Sequence, residues 1–274
     1  MQPTAFNKII IIDSIPIGEV PTANDLFYDN LKWKVLFENC PSIERVELSH
    51  KIEFLNRLDT ICRECVEEGI KPIIHLEMHG NEDGLVLSSG DCISWEEILP
   101  RLRVINAASK NNLTLVIAAC YSARLFDLVP VHKHAPFWAL VAPLHEVFPD
   151  DVRQFSTFYE ELLREPNFPL CVDRMNAKIL DPMSRFRAYN SEDLFNKVWL
   201  IYEGHMQDPQ IVNARVEDLM KLHQEKNGTL SPTQARMMRS KYRNEIVEFP
   251  NRDRRHMKDI FQGRADESSP LPPW

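Results

Sequence analysis

Leu113-Thr114-Leu115-Val116-Ile117-Ala118-Ala119-Cys120 is the strongest buried-strand signal in the chain. It is a short, continuous apolar run rather than an alternating one, which is the pattern of a strand covered on both faces. It ends on a cysteine. Pro72-Ile73-Ile74-His75-Leu76-Glu77-Met78 has the same character and ends at His79-Gly80. Lys8 to Asp13 is a third such run, closed by an acid, and Arg45 to Leu48 reads as a fourth strand. Between the strands the period changes. Ile52, Leu55, Leu58, Ile61, Cys62 and Cys65 recur at spacings of three and four before Gly69, which predicts an amphipathic helix with a glycine stop.

Further along, Asn81, Asp83-Gly84 and Ser89-Gly90 offer chain reversals around Leu85-Val86-Leu87, so a hairpin is expected. Ser94-Trp95-Glu96-Glu97 has the form of a capping box and opens a helix whose apolar side is Ile98, Leu102 and Ile105. Phe137 to Ala142 reads as a strand. Asp150-Asp151 start a helix carrying Val152, Phe155, Phe158 and Leu162. Arg185 to Tyr189 suits an edge strand, and Ser191 caps a helix through Leu194, Val198 and Ile201. Strands separated by helices imply crossover connections and a mainly parallel sheet with helices on both faces. The expected fold is an α/β/α sandwich over residues 1–205.

After His205 the character shifts. Val212 to His223 is helical with Asn227-Gly228 as its stop, and Ser231-Pro232 starts a second helix through Ala235, Met238, Tyr242 and Ile246. From Arg215 to Arg264 there are 12 Lys/Arg against 7 Asp/Glu, a basic helical extension (206–264) on a chain of net charge -8. The end, 265–274, is Ser- and Pro-rich and expected to be disordered. The extension suits docking to an acidic partner or to the acidic body of the same chain; a solvated helical hairpin accounts for it equally well.

Composition bounds the function. Of the 274 residues, 44% are apolar and 26% charged, ordinary for a soluble globular protein. No apolar run approaches the ~20 residues that cross a bilayer, and Met1 to Asn7 lacks a basic segment ahead of an apolar stretch, so neither a membrane span nor a secretory signal is expected. The acidic net charge argues against nucleic acid as a partner. Six scattered cysteines in a chain this long are not a disulfide framework; they suit a reducing, cytoplasmic setting.

Two expected strand ends carry reactive side chains. In an open parallel sheet, catalytic groups gather just beyond the carboxyl ends of the strands. If the strands ending at His79 and Cys120 are parallel neighbours, an imidazole base and a thiol nucleophile emerge on one edge, which is the geometric demand of thiol catalysis. A free thiol titrates near ~8.5, so a nearby imidazole is needed to draw out the thiolate. Gly80 leaves its N–H open to a substrate carbonyl, and with the Cys120 N–H it can form an oxyanion hole. Tyr121, Ser122 and Glu146 are candidates for the substrate pocket.

The order of these features resembles the caspase-like clan of cysteine peptidases, which includes caspases, metacaspases, separase and the bacterial CHAT-domain proteases. An apolar strand ending His79-Gly80 is followed by one ending Ala119-Cys120, 41 residues on (120 − 79), near the ~50 quoted for caspases. Phe137-Trp138-Ala139-Leu140-Val141-Ala142-Pro143 resembles the next strand of CHAT-like enzymes, and Phe155 to Leu163 the helix after it. The caspase segment Gln-Ala-Cys-Arg-Gly is replaced by Ala118-Ala119-Cys120-Tyr121-Ser122, and the metacaspase acid two before the cysteine is Ala118. Neither family's specificity is therefore implied, and CHAT-like enzymes are the nearest relatives. The resemblance implies a cysteine endopeptidase with His79 and Cys120 as its catalytic pair and no cofactor. It also implies a protein substrate, an activator or regulatory protein, and a role in bacterial antiphage defence, with a gasdermin or another partner cleaved. The alternative is an inactive relative of the same fold that serves as a protein-interaction module.

His75, Glu77 and His79 point the same way on a strand, but the order is not His-Glu-x-x-His, so support of His79 or of the sheet face is expected instead of a metal. Cys62 and Cys65 form Cys-x-x-Cys in mid-helix with no second pair, which reads as core packing. His132, His134 and His145 lie on loops near the expected active edge, yet none follows a strand with a glycine behind it.

Overall fold

The computed structural model describes residues 6–36, 40–130 and 132–265. The expected tail therefore lies outside the described residues, apart from residue 265, as does the start of the chain up to residue 5. The chain divides into two units: 1–129 with 135–191, and 130–134 with 192–274.

The first unit is built on one sheet. Its strands are β1 (Lys8–Ser14), β2 (Ser42–Glu47), β3 (Pro72–Gly80), β4 (Gly84–Val86), β5 (Cys92–Ser94), β6 (Thr114–Ala118), β7 (Ala139–Pro143) and β8 (Phe186–Asn190). The order is β2-β1-β3-β6-β7-β8. All neighbours along this path are parallel except β7 and β8, which are antiparallel. The small hairpin β4–β5 grows from the far end of β3, where β4 pairs antiparallel with it.

The helices of this unit are α1 (Thr22–Asp25), α2 (Lys51–Glu67), α3 (Trp95–Ala108), α4 (Pro149–Val152), α5 (Phe155–Arg164) and α6 (Phe168–Asn176). α1 runs on into a wider turn over Leu26–Leu31. One face of the sheet, through Ile9, Ile11, Ile73, Val116 and Val141, packs on Phe155, Phe158 and Leu162 of α5 and on Ala23 of α1. The alternate residues Ile10, Ile12, Ile74 and Leu76 point the other way and are equally buried. The connection from β1 to β2 runs leftward along the sheet, whereas those from β2 to β3 and from β3 to β6 run rightward. With right-handed crossovers, α1 lies on one face and α2 and α3 on the other. The expected sandwich is thus the observed one.

Local signals acted much as the sequence predicts. α2 buries Phe54, Leu58, Ile61 and Cys65, and Gly69 follows it at φ +69°. Ile52 is an exception: it is exposed, because the buried stripe runs through Phe54 instead. Ser94 caps α3 by accepting the Glu97 N–H at 3.2 Å, while the Glu97 carboxylate pairs with Lys51 rather than closing the box. The helix expected from Asp150 is two helices, α4 and α5, separated by Arg153 and Gln154.

Inside the face covered by α5 runs a chain of buried polar groups. His75 Nδ1 lies 3.0 Å from the Tyr159 hydroxyl and its Nε2 lies 3.1 Å from Glu77 Oε2, while Glu77 Oε1 accepts the Thr22 hydroxyl. All four residues are buried. Burial, then the Glu77 carboxylate, holds the Tyr159 phenol well above its ordinary pKa, so it stays a neutral partner. Every member is paired, so none bears the cost of an unsatisfied polar group in the core.

The second unit takes α7 (Ser191–Gln207) from Glu192 on, with α8 (Pro209–Asn227) and α9 (Pro232–Phe261). The boundary falls at Ser191, earlier than the shift in sequence character near residue 205, because α7 buries Phe195 and Trp199 against Phe249 and Phe261 of α9. Met206, Val212, Val216 and Ile246 form a further core among these helices. Gly228 ends α8 at φ +84°, and Ser231 with Gln234 forms a capping box on α9. Among the described residues, no helix is long and apolar enough to cross a membrane.

Removing one member of the buried polar chain strands the others. Glu77→Ala is expected to destabilise the protein by about 3–5 kcal/mol, read as a lowered midpoint in urea unfolding; an unchanged midpoint would contradict the account of the chain.

Candidate active site

Parallel pairing of β3 with β6 sets the site. The registered partners run from Ile73 with Thr114 to Glu77 with Ala118, a constant offset of 41 (114 − 73). His79 and Cys120 differ by the same 41 (120 − 79), and each follows the last registered pair of its strand by two residues. Registered residues of parallel strands project from the same face, and alternation along β3 puts His79 on the face of Ile73 and Val116. The same face carries His75 and Glu77 further back along β3.

Gly80 is where the two segments touch. A Cβ at this position would meet the Cys120 carbonyl oxygen at 2.6 Å, the Ala119 Cβ at 3.0 Å and the Cys120 nitrogen at 3.2 Å. No side chain fits. The expected role of Gly80, open access to its N–H, is joined by a second one: it lets the backbone of the nucleophile loop lie directly on β3. Asn81 donates to the Gly84 carbonyl at 2.9 Å, which makes that pair a hydrogen-bonded one. Pairs alternate in an antiparallel ladder, so Gly80 opposite Leu85 is a non-bonded pair and β4 does not take up its N–H.

Cys120 sits on a sharp turn. β6 ends at Ala118, and Tyr121 has φ +60°, the left-handed region that a residue with a Cβ rarely enters. A short 3-10 helix, Ser122–Leu128, follows. Strain of this kind persists only where surrounding structure enforces it. Here the Tyr121 N–H donates to the His145 carbonyl at 3.1 Å, and the Cys120 thiol lies 3.9 Å from the Val147 carbonyl. The segment after β7 thus clasps the turn. Cys120 is half-buried and carries no disulfide.

His79 is half-exposed, and its Nε2 lies 2.9 Å from Glu19 Oε2. Glu19 stands on the loop after β1, next to Gly18 at φ +97°. This is the switch point of the sheet: the connections leaving β1 and β3 depart to opposite faces, the place where ligands gather in open sheets of this kind. Asp13 at the end of β1 accepts the Ile15 N–H at 3.1 Å and pairs with Arg45, which starts that loop on a fixed course. A carboxylate on Nε2 favours the tautomer with its proton there. The lone pair then resides on Nδ1, free to serve as a base.

No protein-family model matches the chain, and no curated protein matches it.

Of the residues singled out from sequence, Gly80 lies against the backbone of Cys120, and His79 precedes it at the end of β3. Tyr121 and Glu146 are adjacent, their side chains 3.4 Å apart, and the Glu146 charge, then desolvation, raises the Tyr121 phenol pKa. Ser122 departs from the expectation: it is fully buried beneath the turn, its hydroxyl on the Ile117 carbonyl at 3.5 Å, and so it offers no surface to a substrate. Tyr121 and Glu146 do not line the groove of about 500 Å³. The groove of about 500 Å³ on this side of the sheet is lined instead by Leu144 and His145 after β7, by α6 and by β8. His132 and His134 belong to the second unit. Glu19 was not visible as a site residue, since an acid in a surface loop carries no signal until the loop is placed beside His79.

The remaining cysteines sort by burial. Burial pushes the Cys65 thiol up to about 12 and the Cys171 thiol up to about 11, and raises Cys62 and Cys40 as well. Cys65 lies in the core face of α2, the packing role expected for Cys62-x-x-Cys65.

Filling the contact at residue 80 displaces the nucleophile loop. Gly80→Ala is expected to slow alkylation of Cys120 at least tenfold and to cost about 1–3 kcal/mol of stability. Iodoacetamide kinetics resolved by peptide mass would check this, and wild-type reactivity in the variant would contradict it.

Proposed function

We propose that the chain is a cysteine endopeptidase of the caspase-like type, nearest to the CHAT-domain proteases. The observation that carries this reading is the Gly80 contact, which lays the end of β3, next to His79, against the backbone of Cys120; the offset of 41 that His79 and Cys120 have in common with the β3–β6 register supports it. The resemblance of the His79-Gly80 and Ala119-Cys120 segments to that clan supports the same assignment.

The chemistry follows from the groups in place. His79 Nδ1 takes the Cys120 proton as sulfur attacks the carbonyl carbon of a peptide bond. The oxyanion that forms is held by the N–H groups of Gly80 and Cys120. As the tetrahedral species collapses, the carbon–nitrogen bond breaks and His79 returns the proton to the leaving amine. The acyl group remains on sulfur as a thioester. Water then attacks that carbon, its proton passing to His79, and the carboxylic acid leaves while the thiol is restored. Glu19 holds the imidazole in the required tautomer throughout, completing the nucleophile, base and orienting group of thiol catalysis. A protein is the substrate and the surroundings are reducing, as in the cytoplasm; by family resemblance, the setting is antiphage defence with a cleaved partner.

Alkylation separates this reading from an inert interaction module. Iodoacetamide near neutral pH should modify Cys120 faster than the exposed Cys92, an ordinary thiol in the same molecule. His79→Ala should remove roughly 10²-fold or more of that rate, and Glu19→Gln about tenfold, equal to ~1.4 kcal/mol. Cys120 reacting no faster than Cys92, with no response to His79→Ala, would leave the inert module as the better account.

A further inference from the structure

We propose that the groove between the end of β7, α6 and β8 is a subsite for an acidic side chain of the substrate, at a position away from the bond that is cut. This rests on the peptidase reading of Cys120 and extends it to specificity. The groove encloses about 500 Å³, within the usual range for a ligand site. It shares a wall with the nucleophile. The segment from Leu144 to Val147 meets Tyr121 and Cys120 on one side, through the His145 and Val147 carbonyls, and Leu144 and His145 line the groove on the other. Cys120, Gly80 and Tyr121 do not line it, so a side chain seated there belongs to a residue flanking the scissile bond.

Charge gives the groove its preference. Arg185 and Arg187 line it, against Asp173 as the only acid in the lining. Neither arginine has a carboxylate partner among the described residues. Their position is fixed by the strand. Asn176 grips Phe186 with two hydrogen bonds, donating to its carbonyl at 2.7 Å and accepting its N–H at 3.0 Å. Phe186 is buried, and the exposed Arg185 and Arg187 on either side of it line the groove. Arg187 also hydrogen-bonds the Tyr189 hydroxyl, which limits its rotamers. Two guanidinium groups held along one strand suit a carboxylate, which they can bind with paired N–H donors. A second groove of about 340 Å³, formed by the β3–β4 turn, α3 and the helix after Cys120, has the opposite lining: Glu82, Asp83, Glu96 and Asp127 against Arg124. An acidic side chain is repelled there and drawn to the β8 side, so the two grooves also set the direction of the peptide.

The test uses the full chain carrying Cys120→Ala, which binds without cutting. Fluorescent peptide pools with either glutamate or glutamine at one fixed position are titrated and followed by anisotropy. At some position the glutamate pool should bind at least about tenfold more tightly, ~1.4 kcal/mol, and Arg185→Gln/Arg187→Gln should erase that preference. Equal binding of the paired pools at every position would overturn the proposal, as would a glutamate preference that survives the double substitution. Alkylation of Cys120 in the otherwise unaltered chain, with and without His79→Ala, tests the peptidase reading independently. A failed groove and a failed nucleophile therefore give different results.

Discussion

The close approach of Gly80 to the Cys120 backbone is the contact on which the rest depends. A strand of the sheet and the loop after its neighbour lie so near each other that the space for one Cβ is already filled. That closeness ties the end of β3 and the loop carrying Cys120 to a common framework. Parallel pairing supplies the matching register, and the missing side chain supplies the room. Gly80 and Cys120, far apart in the chain, are thereby set together by backbone, which is stiffer than any side chain.

Support for this rim comes from below and from both sides. Below it, the Tyr159–His75–Glu77–Thr22 chain stiffens β3 and joins it to α5 and α1. Such a chain stabilises only while each of its groups is paired, and so it favours a single packing of the face on which His79 stands. On one side Asp13 and Arg45 hold the start of the loop that brings Glu19 to the imidazole. On the other, the segment after β7 holds the left-handed Tyr121. Strain at that turn and polar groups in the core are both unfavourable in isolation. They persist because the neighbouring structure fixes them, and they meet at one edge of the sheet.

Much of this was legible in the sequence. The runs ending at His79-Gly80 and at Cys120 announce buried strands because continuous apolar stretches of that length need cover on both faces. Gly69 and Gly228 mark helix ends because both adopt positive φ. What could not be read depends on distances across the sheet. Glu19 lies 60 residues from His79 in sequence, and nothing local marks it. Ser122 looked like a pocket residue because it follows the nucleophile, yet the left-handed turn at Tyr121 swings it beneath the loop. The helix α7 looked like the close of the sandwich, but Phe195 and Trp199 find their aromatic partners in α9. Periodicity predicts that a face is buried and is silent about what covers it.

The adjacency of residues 79 and 120 can be measured without any substrate. Neighbouring strands lie ~4.8 Å apart, within the Cα separation that a disulfide spans. In His79→Cys, mild oxidation should join residue 79 to Cys120, with the loss of two hydrogen atoms in the linked peptide and its reversal by a reductant. If both thiols stay free and open to alkylation under oxidation that cross-links other close pairs, the two side chains do not share the rim and the account fails.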